Sequence, residues 1–398
     1  MPASLFCPAD LLIPKSELLP SWSVVACDQF TSEPEYWNAV EALTSDAPSA
    51  YHITLPEIYL NDRMEERIRR IDETMLDYQR EDIFHAYPHS VVYVERRLSS
   101  GLVRRGLVGA VDLEAYDYAV GSVSPIRATE QTVLSRVPPR VNIRRDASLE
   151  LPHIMLLVHD RQKAIFGAVD PAACQKIYDF DLMMGGGHIS GYLLDGPDAD
   201  RVCAAFESLN GAIQIAVGDG NHSLAAAKAC YEALKQSVGV EAAAVHPARY
   251  ALAEVVDICD ESLVFEPIHR TVFHTDPSAL LTWLQSLGGG DYTVRYICKN
   301  GEGEISIPAG GASLACGALQ QLLDRYVEAH GGEIDYIHGD ETARTLGRQE
   351  GNLSFLLPVF DKTALFDIVE RDGTLPRKAF SMGHASDKRY YLECRRIR

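Results

Sequence analysis

The sequence predicts a mixed α/β fold, and three observations carry that expectation. The first is an apolar run, Ala212-Ile213-Gln214-Ile215-Ala216-Val217, that ends in Gly218-Asp219-Gly220-Asn221-His222-Ser223 and opens into an alanine-rich stretch, the order strand, tight turn, helix. The second is a pair of apolar, β-branched runs, Ser90–Arg97 and Gly101–Val111, separated by Ser99-Ser100-Gly101, which reads as an antiparallel hairpin. The third is alternation near the C-terminus, where 314–329, 340–348 and 362–371 read as helix and 334–338 and 353–357 as strand. Such alternation points to an α/β layer with some parallel pairing.

The elements fall into three regions. Residues 1–152 begin loop-rich, continue into a charged helix over 61–80 and then into the hairpin. Residues 153–287 open on the apolar run Ile154-Met155-Leu156-Leu157-Val158 and contain a helix near 198–209, the strand-turn-helix junction and a strand around 250–258. Residues 288–398 form the C-terminal α/β region, with Gly288–Gly290 as the candidate linker before it. The glycine-rich Met183–His188 follows no clear strand and lacks the lysine and hydroxyl residue of a phosphate loop, so a flexible lid is expected there. His85 and His89 are four residues apart, but Pro88 between them argues against a helical metal pair.

Composition narrows the function. With 398 residues, 46% of them hydrophobic, the chain can bury a substantial core. Its 56 acidic against 37 basic residues give a net charge of −19, which disfavours nucleic acid as a partner. No signal-like or membrane-spanning apolar run is found, so a cytoplasmic protein without a membrane partner is expected. The nine cysteines are scattered singly and read as reduced.

The junction is the strongest functional signal. Leu224, Ala227, Tyr231 and Leu234 form one apolar stripe, which would hold the helix start rigidly. Exposed backbone amides and the positive helix end would then seat an anion, typically phosphate, at Gly218, Asp219, Gly220, Asn221, His222 and Ser223. Asp219 or Asn221 would cap the first turn. The plainer alternative is an ordinary strand-to-helix turn.

Four segments together resemble the domain of unknown function 1015 family. The stretch Ala216–Lys228 is similar to its Asp-Gly-His-His-Arg signature, and Ile126-Arg127-Ala128-Thr129-Glu130-Gln131-Thr132 to its basic, His-Glu, Thr segment. Glu266-Pro267-Ile268-His269-Arg270 looks like its Pro-Thr-His-Arg, and Leu375–Ser381 like its Pro-Lys-Ser-Thr element. Asp28 matches the aspartate of its Pro-Pro-Tyr-Asp segment. The signature in turn resembles the helix-start motif of ParB-like proteins, sulfiredoxin and the free-serine kinase. The resemblance therefore implies a ParB/sulfiredoxin-like phosphate-binding core and nucleotide-dependent phosphoryl transfer, with ATP, ADP or CTP and Mg²⁺ as cofactors and a small phosphate-bearing ligand as partner.

This sequence departs from the signature in having Asn221 and Ser223 where the family carries His and Arg. The lost guanidinium removes a bidentate phosphate clamp, and Arg270, Lys228 or Lys378 are the candidates to replace it. Asp28 or Glu33 is the candidate acid-base carboxylate, against the alternative that Asp28 caps the helix after Ser32. Glu130 would hold Mg²⁺ or accept a hydroxyl proton while Arg127 steadies an anion, against a surface ion pair. His269 would act as base or touch phosphate, against a histidine bonded to backbone, and Lys378 would fold over the site, against a solvated loop. Two functions are compatible with these residues: a small-molecule kinase, and a non-catalytic nucleotide-sensing regulator of ParB-like type.

Overall fold

Runs of β-branched and apolar residues form strands that are buried on both faces, and this sets the layering of the larger part of the chain. The computed structural model describes residues 4–398 in two units. Unit 1 runs to Leu263 and resumes over His384–Arg398, and unit 2 is Val264–Gly383.

Unit 1 contains β1 (Phe6–Cys7), β2 (Ala9–Pro14), β3 (Phe84–Arg97), β4 (Val103–Asp112), β5 (Tyr116–Asp117), β6 (Ile126–Ala128), β7 (Leu149–Glu150), β8 (Met155–Val158), β9 (Gln175–Asp181), β10 (His188–Asp195), β11 (Ile215–Asp219) and β12 (Tyr250–Asp257). All but β7 join one sheet in the order β5-β6-β11-β8-β12-β4-β3-β10-β9, with β1 beside β4 and β2 beside β3. Its helices are α1 (Leu19–Trp22), α2 (Pro34–Thr44), α3 (Met64–Arg80), α4 (Val137–Arg145), α5 (Gly196–Ala205), α6 (Asn221–Val238) and α7 (Val240–Ala244). Period-two alternation splits the sheet's side chains between two cores. Val91, Tyr93, Leu107 and Val111 pack with Val202 of α5 and with Leu224, Ala227 and Tyr231 of α6. Val92, Val94, Val108 and Ala110 face the other way, onto Trp22, Trp37, Ile71 and Met75 of α1 to α3.

Unit 2 contains β13 (Phe265–Phe273), β14 (Tyr292–Cys298), β15 (Gly301–Ile307), β16 (Glu333–His338), β17 (Leu353–Leu356) and β18 (Phe380–Met382), with α8 (Pro277–Ser286), α9 (Ala315–His330), α10 (Asp340–Gly347) and α11 (Leu365–Asp372). Its sheet has the order β15-β14-β17-β13-β16, with β18 on β13. Every hydrogen-bonded pair in it is antiparallel. The parallel pairing expected from alternation is therefore corrected. The segment β16-α10-β17 is a parallel crossover, but β13 is inserted between its two strands and runs against both.

Three other expectations change. The boundary expected at 152 falls inside unit 1, whose sheet draws β3 and β4 from one side of it and β8 to β12 from the other. Gly288–Gly290 is the turn between α8 and β14 within unit 2 and no linker. Met183–His188 is the loop of the β9–β10 hairpin, closed by Leu182 N–H donating to the Gly187 carbonyl at 2.8 Å. The Gly186 carbonyl also accepts from the buried Arg96 guanidinium, so this loop is pinned down and is no lid.

The last residues complete unit 1. Val25 bridges to Tyr390 and Leu12 to Cys394, and β19 (Arg395–Arg396) pairs with β7. Beneath this segment lies a buried ionic network in which Arg389 binds both Glu254 and Glu393, and Arg395 binds Glu150. Such charges are tolerated in a core only when paired and hydrogen-bonded. Among the described residues no helix is long and apolar enough to cross a membrane.

Candidate functional site

The strand-turn-helix junction forms as read: β11 ends at Asp219, and α6 begins at Asn221. Gly220 between them is the N-cap residue with φ 80° and ψ 24°. A Cβ there would lie 3.0 Å from Ile154 Cα, so both the left-handed backbone and the close approach demand glycine. The expected side-chain cap is not made. Asp219 Oδ1 instead accepts its neighbour's Gly220 N–H at 2.9 Å, and Asp219 Oδ2 pairs with Lys388 Nζ at 3.2 Å. Leu224 N–H takes the Gly220 carbonyl at 3.0 Å. The amides of Asn221, His222 and Ser223 have no acceptor among the described residues. Asn221 Oδ1 is buried there and also unpartnered.

β6 runs parallel to β11 with Ala128 opposite Val217, so residues 129–133 emerge at the same edge as the start of α6. That edge, at the carboxyl ends of parallel strands, is where open α/β sheets bind ligands. Thr129 Oγ1 donates to the Val217 carbonyl at 2.7 Å, and Val133 N–H donates to His222 Nε2 at 3.2 Å. Glu130 belongs to this loop, and the buried Thr132 hydroxyl in it has no partner among the described residues. His222, accepting at Nε2, carries its proton on Nδ1. Burial first, and then Arg140 and Arg136, push its pKa down to about 4. It is therefore neutral at pH 7 and offers one N–H rather than a positive charge.

The second wall of the site comes from segments far apart in sequence. Tyr391 N–H donates to the Val24 carbonyl at 2.8 Å and Ala26 N–H to the Arg389 carbonyl at 2.9 Å, which lays the 24–28 segment against 388–391. His153, only 5% exposed, sits between them. Its Nδ1 is 2.8 Å from the Tyr391 hydroxyl, which also accepts Cys27 N–H at 3.3 Å. Its Nε2 faces Ser223 Oγ at 3.4 Å and Asp28 Oδ2 at 3.7 Å. Burial alone would raise the Asp28 pKa, but His153, the Gln29 side chain, Lys388 and Arg140 outweigh it and hold the carboxyl below its usual range. Asp28 is thus an ionised carboxylate and does not cap α2, whose N-cap is Glu33. The Cys27 thiol is pushed up to about 12, chiefly by burial, which removes it as a nucleophile.

Ser223, His153, Tyr391 and Cys27 also border a cavity of about 130 Å³ that runs beneath the first turn of α6. Most of its wall is apolar, supplied by Ile53, Leu55, Met75, Ile143, Leu151 and Ala226 among others. Arg140 and Arg144 reach it too, each bound to a carboxylate, Glu57 and Glu150 respectively.

Two other expected site residues of unit 1 are held elsewhere. Arg127 donates to the carbonyls of Ser124 at 2.7 Å and Ala212 at 3.1 Å, both preceding the strands they lead into, so its guanidinium serves the opposite ends of β6 and β11. Lys228 is held by the Leu113 carbonyl and Glu232. His269, Arg270 and Lys378 belong to unit 2. There His269 accepts Leu357 N–H at Nδ1, at 3.1 Å, and its Nε2 lies 2.8 Å from Asp340 Oδ1. Arg270 is fully buried, its guanidinium bound to Gln320 and to the carbonyls of Ile268, Arg377 and Lys378. Lys378 itself is exposed. Within unit 1 a cation reaches the turn from Lys388, which sequence reasoning missed along with His153 and Tyr391. None of the three stands in a motif, and their separation from residue 220 left no local signal.

A family model described as a protein of unknown function (DUF1015) matches residues 8–394, so the chain belongs to that family. No curated protein matches it. Among solved structures, a free serine kinase in complex with AMP is 12% identical with a TM-score of 0.38, covering 72% of this chain and 90% of that one. A mutant of such a kinase in complex with ADP is 11% identical, again at 0.38, with 72% and 91% covered. A conserved hypothetical protein from Pyrococcus furiosus is 12% identical at 0.34, with 73% and 94% covered.

Proposed function

We propose that unit 1 seats a terminal phosphate of a nucleotide at Gly218–Ser223 and transfers it to a small hydroxyl-bearing metabolite. The observation that carries this reading is the run of three amides, Asn221 to Ser223, without an acceptor at the positive end of an 18-residue helix. Gly220 fixes their direction, and the apolar stripe of α6 fixes the helix. Lys388 supplies positive charge beside them, in place of the arginine this chain lacks, and neutral His222 adds an N–H donor.

Phosphoryl transfer needs little covalent help from the protein beyond positioning and charge compensation. Mg²⁺ is usually held by one or two carboxylates together with the substrate phosphates. Glu130 is the carboxylate this reading assigns to the ion, which would neutralise charge on the transferring group. The reading is tested by incubating the full chain with ATP, ADP and CTP, with and without Mg²⁺, beside a panel of hydroxyl metabolites, and following phosphorus NMR. Turnover of one nucleotide that depends on an acceptor supports it. No nucleotide binding by calorimetry overturns it.

A binding-only role draws on one observation. Lys388 is already paired with Asp219, which leaves the turn with less free positive charge than a kinase seat usually has. Binding without turnover would select that role.

A further inference from the structure

We propose that the cavity beneath the first turn of α6 is the acceptor site, that it takes a neutral alcohol with a compact apolar body, and that His153 removes the hydroxyl proton. The inference rests on the phosphate seat proposed above, since Ser223 borders both. Three features of the cavity specify the occupant.

Charge is the first. Each arginine that reaches the cavity is matched by a carboxylate, Arg140 by Glu57 and Arg144 by Glu150, and Glu150 is bound by Arg395 as well. Among the residues that line the cavity the charges pair off, two guanidiniums with two carboxylates, so none stands alone on its wall to receive a carboxylate, an ammonium or a second phosphate. A buried unpaired charge on the occupant would go uncompensated. Size is the second. A cavity of about 130 Å³ is close to the roughly 150 Å³ of an engineered apolar cavity that accepts benzene, so the apolar body is about one six-membered ring or a branched chain of similar bulk.

Polarity at one end is the third. The polar groups Ser223, His153 and Tyr391 are together, so a hydroxyl directed at them is next to the seat. In the tautomer that this reading assigns, Nδ1–H donates to the Tyr391 oxygen and His153 Nε2 keeps a lone pair facing Ser223. That nitrogen takes the acceptor's proton as the acceptor oxygen bonds to the terminal phosphorus of a nucleoside di- or triphosphate. The bond from that phosphorus to its bridging oxygen breaks, and the electron pair leaves with the shortened nucleotide. The new Nε2–H then faces the Asp28 carboxylate, which stabilises the imidazolium until solvent takes the proton.

The test uses the full chain and two variants, Ile143→Trp to fill the cavity and His153→Gln to remove the base, each checked for cooperative thermal unfolding. Saturation-transfer NMR with benzyl alcohol and 3-methylbutanol measures the cavity alone, and calorimetry with ADP and ATP measures the seat alone. The expected result is that both alcohols bind the native chain and not Ile143→Trp, while free serine and glycerate do not compete. Phosphorylation of a neutral alcohol should then fall at least about 100-fold in His153→Gln, the usual scale of one acid-base group, with nucleotide affinity within twofold of native. Alcohols that bind Ile143→Trp as well as the native chain, or transfer that prefers charged acceptors, overturn the inference and leave the seat intact. Absence of nucleotide binding overturns the reading beneath it instead.

Discussion

Replacing Gly220 by alanine tests whether the turn is built for an anion. The residue has φ 80°, a region that costs an L-residue about 1–2 kcal/mol. The new Cβ would also stand 3.0 Å from Ile154 Cα and 3.1 Å from its Cγ1. The nearer contact is backbone, so no rotamer change relieves it, and the start of α6 must move away from β8. We expect unit 1 to lose about 2–3 kcal/mol by the sum of strain and displacement. One charge-assisted amide contact to phosphate is worth about 1.5–3 kcal/mol, so losing one of three should weaken nucleotide binding about 10- to 100-fold. Gly121→Ala is the control, because Gly121 has φ 79° but nothing within 4 Å of its Cβ position. It should show the strain alone and no change in affinity. Denaturant midpoints and titration calorimetry read the two quantities separately. A Gly220→Ala protein that binds nucleotide within twofold of native would refute the argument for these amides.

Lys388→Met removes the cation beside the turn and leaves Asp219 without its partner, so nucleotide affinity should fall at least about tenfold, more steeply at low ionic strength, as calorimetry at two salt concentrations would show. For His222 the folded pKa is about 4 against an ordinary value near 6.5. Between these values the unfolded chain binds the extra proton, so stability rises with pH through this window and is fully present above it. His222→Asn should flatten the rise in urea midpoint between pH 4 and 6.5, and an unchanged slope would count against the depressed value. Arg389→Met leaves the buried Glu393 without its ion pair and Glu254 with Arg104 alone, and should cost about 3–5 kcal/mol; a loss under about 1 kcal/mol in denaturant unfolding would show the network to be dispensable.

The parts of the site that could be read from the chain are those in which neighbours in sequence are neighbours in space. The 212–224 segment gives its own strand, turn and helix, because alternation, glycine and an apolar stripe each act within a few residues. Glu130 was legible as a candidate for a related reason, since it follows a short strand by two residues. Arg127 shows the limit. Its position near Glu130 was legible, but the direction of its side chain depends on carbonyls of residues 124 and 212, and it turns the other way. Pairing in unit 2 went unread because helix-strand alternation fixes a crossover without saying which strand is inserted into it.

Sequence alone determined the turn that offers its amides, the rigid helix behind it and the acidic character of the chain. Only the tertiary structure decided what surrounds that turn. Lys388 and Tyr391 reach it because the final residues return to pair with the 24–26 backbone, and His153 is oriented by a hydroxyl 238 positions away. Local propensity acts over a turn or two of chain. The placing of these three side chains depends on long-range strand pairing and on neutralising buried charge, and neither leaves a mark at the positions it positions.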